Sequence, residues 1–118
     1  MQAQASSTAL NATRAVALAT ELEVARSLSA RTRGLLGRRA LPPGYGMLID
    51  PCPSVHTWFM SIPIDVIFLD RENRVVGLRR NMKPFRMAGA WRGARTLELP
   101  VGTIAATGTS VGDSVVFG

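Results

Sequence analysis

The chain reads as a β-rich α+β domain, a small barrel or strongly curled mixed sheet carrying one or two short helices. Three observations predict this. Short apolar runs, some of them alternating, recur between turn-forming Gly, Pro, Asn and Asp. Only one stretch has helical spacing with plausible caps. At 118 residues and 47% hydrophobic side chains, the chain supplies one domain with a core that needs no staples.

The elements follow in order. Residues 1–10 read as a flexible tail and 11–118 as the domain. Val16, Leu18, Leu22 and Val24 share one parity, with Glu21 and Glu23 on the other, which predicts one bent strand or two short ones breaking near Ala19 and Thr20. Over 27–37, Ser27 or Ser29 can cap a short helix with Leu28, Leu35 and Leu36 on one face and Gly37 ending it. Gly34 weakens that helix by about 1 kcal/mol relative to alanine. Residues 41–46 form a loop, and 47–49 a short strand. Pro51 and Pro53 cannot donate ladder hydrogen bonds, so 50–54 leaves the sheet or runs along its edge.

Residues 56–60 and 66–69 predict two strands joined through 61–64. Asp70-Arg-Glu-Asn-Arg74 is the clearest hairpin turn, with Asn73 suited to positive φ. It leads to a strand over 75–78, a basic loop over 79–94 and a strand over 96–99. Residues 102–108 fit one or two helical turns, and 114–117 a last strand after the Gly112-Asp113 turn.

The net charge is +6, and every basic residue except Lys83 is arginine. Two clusters stand out: Arg31, Arg33, Arg38 and Arg39, then Arg79, Arg80, Lys83, Arg86, Arg92 and Arg95. Arginine suits phosphate, so a polyanion is one partner they suggest, and solvated surface is the plainer reading. Only Trp91 and Phe85 accompany the second cluster, a thin stacking platform for a single strand. A single cysteine excludes an internal disulfide. No run is long and apolar enough to span a membrane, and residues 1–10 lack the features of a secretion signal. The expectation is a soluble, cytoplasmic, monomeric protein without a cofactor.

The chemistry-bearing residues concentrate in one segment. Cys52 is the only cysteine, His56 the only histidine, and Trp58 and Met60 follow within a few residues. A nucleophilic thiol needs a base and a group to orient it. Here Cys52 would be nucleophile, His56 base and Asp65 orienter, with Asp50 in reserve. If 52–56 is extended, the two Cα atoms lie about 13 Å apart, so only a turn at Pro53-Ser54 would join them. The plainer reading is a buried thiol and a satisfied imidazole. Cys52, His56 and Asp65 have no diagnostic metal-ligand spacing, so no metal is assigned.

On a strand over 56–60, His56, Trp58 and Met60 share a face that could wall a small pocket. Asp65 follows an apolar stretch and should be paired, to a loop amide or an arginine, more readily than it would act as a base. Glu98, flanked by Leu97 and Leu99, should face solvent or pair with Arg95 or another surface arginine.

Gly34-Leu-Leu-Gly-Arg38, Gly46-Met-Leu48, Trp58-Phe-Met60, Pro63-Ile-Asp-Val-Ile-Phe-Leu-Asp70, Leu97-Glu-Leu-Pro100 and Gly112-Asp113 occur in this order. In these motifs the chain resembles the prokaryotic domain of unknown function 192, over roughly residues 14–118. The resemblance implies a small β-rich, barrel-like α+β domain and carries no biochemical role with it. The Cys52, His56 and Thr57 pattern resembles one subgroup of that family. Three functions are therefore expected in order: a non-enzymatic binding module for a small molecule, peptide or protein, using a patch of Cys52, His56, Trp58, Met60 and Asp65; a thiol enzyme or redox protein; and an arginine-driven nucleic-acid binder.

Overall fold

The computed structural model describes residues 7–26, 41–50, 62–83 and 86–118, and the backbone of 54–56. The helix expected over 27–37 lies outside the described residues. The described strands are β1 (Ser7–Asn11), β2 (Val16–Ala25), β3 (Tyr45–Ile49), β4 (Ser54–His56), β5 (Ile64–Leu69), β6 (Val75–Met82), β7 (Met87–Gly89), β8 (Arg95–Leu99) and β9 (Val115–Phe117). One helix, α1 (Thr103–Thr107), lies between β8 and β9. No helix among the described residues is long and apolar enough to cross a membrane.

Seven strands form one mixed sheet in the order β6-β5-β8-β3-β2-β1-β9, and β4 pairs with β7 in a separate ribbon. The sheet curls into a half-barrel. Its two edges, β6 and β9, meet at one end: Val75 N–H donates to the Asp113 carbonyl at 2.8 Å, Gly112 N–H to the Val75 carbonyl at 2.8 Å, and Val115 N–H to the Asn73 carbonyl at 2.9 Å. This corner carries a bridge between Arg74 and Ser114.

β2 is one bent strand. Its register against β1 shifts between Ser7↔Leu22 and Ala9↔Ala19. At that shift the amides of Thr20 and Glu21 both donate to the Gly44 carbonyl, and from Glu21 onward the strand pairs in parallel with β3. Tyr45 N–H closes a turn onto the Pro42 carbonyl at 3.1 Å, with Pro43 in the first central position and Gly44, at φ 83, in the second. A side chain at Gly44 would put its Cβ 2.6 Å from Thr20 Oγ1. The 70–74 hairpin turn forms as its composition predicts. Asn73 has φ 62, and Asp70 Oδ1 accepts the amides of Glu72 and Arg74, both at 2.9 Å.

β1 starts at Ser7, inside the stretch read from sequence as a tail. Its Ser-Thr-Ala composition carries little strand signal, but pairing on both sides, to β2 and β9, holds it, and Ala9 is buried. Tertiary pairing overrides weak local propensity here.

The central strands of the sheet, β3, β5 and β8, are buried on both faces. β5 shows this best, with all six residues buried. Ile64, Val66 and Phe68 join a first cluster with Tyr45, Met47 and Ile49. Ile67 and Leu69 join a second with Leu22, Leu97, Leu99 and Ile104. Each such aliphatic or aromatic side chain contributes about 1.5–3 kcal/mol by leaving water.

Asp65 is 1% exposed and faces the end where α1 docks. Its Oδ2 accepts the amides of Gly102 at 3.1 Å and Ile104 at 2.9 Å, and its Oδ1 accepts Asn81 N–H at 2.9 Å. One carboxylate thus fixes the helix start and a bulge in β6, where Arg80 and Asn81 fall between the pairs Ile64↔Met82 and Val66↔Arg79. Asn81 is left-handed there, with φ 51.

The barrel corner has its own carboxylate. Asp113 Oδ2 accepts from Asn11 Nδ2 at 2.9 Å, Arg14 Nε at 2.7 Å and Ser110 N–H at 3.0 Å. The Asn11 hydrogen bond, then those from Arg14 and Ser110, outweigh the opposing loss of solvation and hold its pKa at about 2 against an ordinary 3.8.

Two outcomes follow. Because the folded pKa of Asp113 is depressed, its stabilising contribution is present above the unfolded value and is lost as pH falls through about 2. Urea midpoints measured from pH 5 to 2 should fall less steeply in Asp113→Asn than in the unaltered protein. Asp65→Asn should lower stability by about 2 kcal/mol or more, and amide exchange should accelerate at Asn81, Gly102 and Ile104 specifically. Unchanged exchange at these three would contradict the anchoring role.

Candidate functional site

The β4–β7 ribbon lies on the first face of the sheet. Its register is Ser54↔Gly89, Val55↔Ala88 and His56↔Met87. Ala88 and Ala90 pack against the first cluster. The approach at Gly77 is close: a Cβ there would sit 2.8 Å from that of Ala90 and 3.2 Å from the Phe68 ring. Glycine at 77 therefore lets the chain just after β7 lie down on β6. The ribbon also brings β4, the strand that bears His56, against β8.

β8 carries a residue whose position sequence reasoning misplaced. Glu98 does not face solvent. It is 0% exposed, with Met47 opposite it on one side and Val66 on the other, both in the first cluster. Thr96, in the next row of the same face, is equally buried between Ile49 and Phe68. Directly opposed residues in a ladder share a face, so the interior of this face holds a carboxylate and a hydroxyl, each engaged with a neighbour.

Nor does Arg95 pair with Glu98. Its Nε lies 3.4 Å from Asp50 Oδ2, within ion-pair range but not aligned as a hydrogen bond, and its NH1 donates to Asn73 Oδ1 at 2.6 Å. The alternation of Thr96-Leu-Glu-Leu99 predicts a solvated side only if the sheet has one. The signal pointing the other way is the unbroken apolar run over 66–69 in β5, which requires cover on both faces.

A concavity opens where β6 passes to β7. Its volume is about 280 Å³, and its walls are residues 79–83 and 86–88. Arg79, Arg80 and Asn81 are exposed in succession, which a regular alternating strand does not give, and Met82 turns back into the core. The bulge held by Asp65 produces this run. Met87, 70% exposed, forms part of the wall and is the register partner of His56. At the following turn, Gly93 N–H donates to the Ala90 carbonyl, Arg92 is left-handed with φ 70, and Trp91 is 88% exposed.

Of the residues singled out from sequence, Asp65 is placed in full: three backbone amides occupy its two oxygens. His56 is placed by its backbone on β4, beside the concavity. Cys52, Trp58 and Met60, and with them most of the strand expected over 56–60, lie outside the described residues, as does the first arginine cluster. Among the described residues no three His, Cys, Asp or Glu side chains group as a metal site would require.

Comparison with known proteins agrees on the family. The family model DUF192, described as Uncharacterized ACR, matches residues 9–117. A UPF0127 protein from Thermococcus sibiricus is 41% identical over 63 residues, which is 52% of this chain and 40% of that relative. The matched stretch therefore covers less than half of the curated relative's length. Two crystal structures share the fold. A protein of unknown function from Novosphingobium aromaticivorans superposes with TM-score 0.77 at 24% identity, over 94% of this chain and 83% of the other. A candidate transcription regulator from Sinorhizobium meliloti superposes with TM-score 0.79 at 25% identity, over 99% and 98%. With nearly its whole length matched, and with the curled sheet that its motifs predict, the chain belongs to the DUF192 family.

Proposed function

We propose that this protein is a non-enzymatic binding module whose site is the β4–β7 ribbon with the concavity beside it. The observation that carries this reading is the register pair His56↔Met87. It sets the described part of the segment richest in distinctive side chains, the backbone of 54–56, beside a concave surface whose wall includes Met87. A cleft walled by a few polar heads and a flexible thioether suits a small molecule or a short peptide side chain. The buried Glu98 on β8 lies in the same face, next to β4, and adds a polar group to that side of the sheet.

A nucleic-acid reading has specific observations behind it. Trp91 stands out of the β7–β8 turn beside Arg92, and one solved relative of the same fold is described as a candidate transcription regulator. Against it, Arg95 is occupied internally and a single exposed ring is a short stacking platform.

Two measurements separate these. In amide-shift mapping against a metabolite and peptide library, ligands should move resonances of 52–60, 79–83 and 86–88 together. A library that moves none of them would overturn the module. Binding to a single-stranded oligonucleotide should be weak, and Trp91→Ala should leave library binding intact. Tight binding that weakens steeply with salt and depends on Trp91 would put the nucleic-acid reading first.

A further inference from the structure

The second basic cluster divides once it is folded. Arg95 is spent on Asp50 and the 70–74 turn, and Arg92 sits in the β7–β8 turn, outside the concavity. The other four, Arg79, Arg80, Lys83 and Arg86, line a single hollow of about 280 Å³. All eight acidic residues of the chain are described, and none lines it. Asp50 and Asp113 face Arg95 and Arg14, Asp65 binds backbone amides, Asp70 caps its own turn, and Glu98 is buried under the other strands.

Arg79 and Arg80, exposed in succession at the bulge, place two like charges side by side at one hollow, where they repel each other and low-dielectric walls sharpen the potential they create. The arrangement is relieved by a ligand that brings more than one negative charge to one place. A monocarboxylate brings too few. A phosphate monoester or diphosphate brings two or more, and its tetrahedral oxygens accept the paired N–H donors of guanidinium groups. Lys83 and Arg86 are also engaged with neighbouring residues, so Arg79 and Arg80, exposed side by side at the bulge, are the primary donors. The volume lies near the lower end of small-molecule sites, about 300–1,000 Å³. That is room for one phosphorylated group and a small apolar body, not for a strand running past. Met87, largely exposed at the rim, offers the surface for that body.

We infer that the concavity between β6 and β7 takes a small phosphorylated molecule, its phosphate held by Arg79 and Arg80 and its apolar part laid against Met87. This rests on the binding-module reading and names its ligand class. The pocket exists because Asp65 holds the bulge that presents both arginines, so the scaffold and the specificity share one carboxylate.

Titrations monitored by amide shifts test it, with phenyl phosphate, inorganic pyrophosphate and the neutral analogue phenol as probes. Phenyl phosphate should move the amides of 79–83 and 86–88, pyrophosphate should displace it, and phenol should do neither. The double variant Arg79→Ala with Arg80→Ala should weaken phenyl phosphate binding about tenfold or more, while Arg92→Ala leaves it unchanged. The displacement by pyrophosphate is read on the unaltered protein, so it stands even if the double variant misfolds. No shift with either phosphate, or equal affinity in a folded double variant, would overturn the inference. If neutral members of the metabolite and peptide library still move these amides, the binding module survives and the phosphate assignment falls. If nothing moves them, both fall. An oligonucleotide that shifts them where phenyl phosphate does not would also overturn it, in favour of a polymer.

Discussion

The Asp65 carboxylate is the constraint on which the rest of this fold hangs. It lies in the most buried strand of the sheet and spends both oxygens on main-chain amides from two distant segments, the bulge of β6 and the first turn of α1. A helix as short as α1 has little stability of its own. It persists because Asp65 satisfies two of its initial N–H groups and because Ile104 is fully buried in the second cluster. The same anion decides where β6 departs from regular pleating, and therefore which side chains it turns outward. Charge-assisted hydrogen bonds to backbone donors suit this task, since removing the acceptor would strand several buried amides at once.

Around that anchor the molecule solves the problem of a sheet whose central strands are covered on both faces. α1 and the inner strands fill one side, and the β4–β7 ribbon covers part of the other. Among the described residues, closure is made at the corner where the backbone of Asp113 joins β6 to β9 while its side chain ties in Asn11 and Arg14. Two carboxylates thus mark the two structural junctions, and a third, Glu98, is enclosed in the face beneath β4. The acidic residues serve mainly to hold the frame, which leaves the positive charge to dominate the outside.

That division of labour explains how a net charge of +6 becomes local. Arg14 and Arg95 are used internally, against Asp113 and Asp50. Arg79 and Arg80 stand exposed at a hollow whose lining residues include no acid, and the ribbon carrying His56 runs along its rim. Composition alone spreads these charges evenly along a loop; the fold gathers four of them.

The sequence by itself determined the class of the fold and most strand positions. Alternation and turn residues are local properties, and the strands around residues 47–49, 66–69, 75–78, 96–99 and 114–117, the Asn73 turn and the glycine-bounded α1 follow from them. It also indicated that Asp65 should be paired, because an acid beside an apolar run has few other options. What only the tertiary structure decided were the matters that depend on cover and pairing. Ser7–Asn11 is a strand because β2 and β9 flank it, not because of its composition. Glu98 is buried because β8 lies among central strands covered on both faces, which the parity of a five-residue strand cannot reveal. The basic hollow exists because one bulge, held by an aspartate sixteen residues earlier in the chain, turns successive arginines outward. Periodicity is written in neighbours along the chain. Burial and charge convergence are written in neighbours across space.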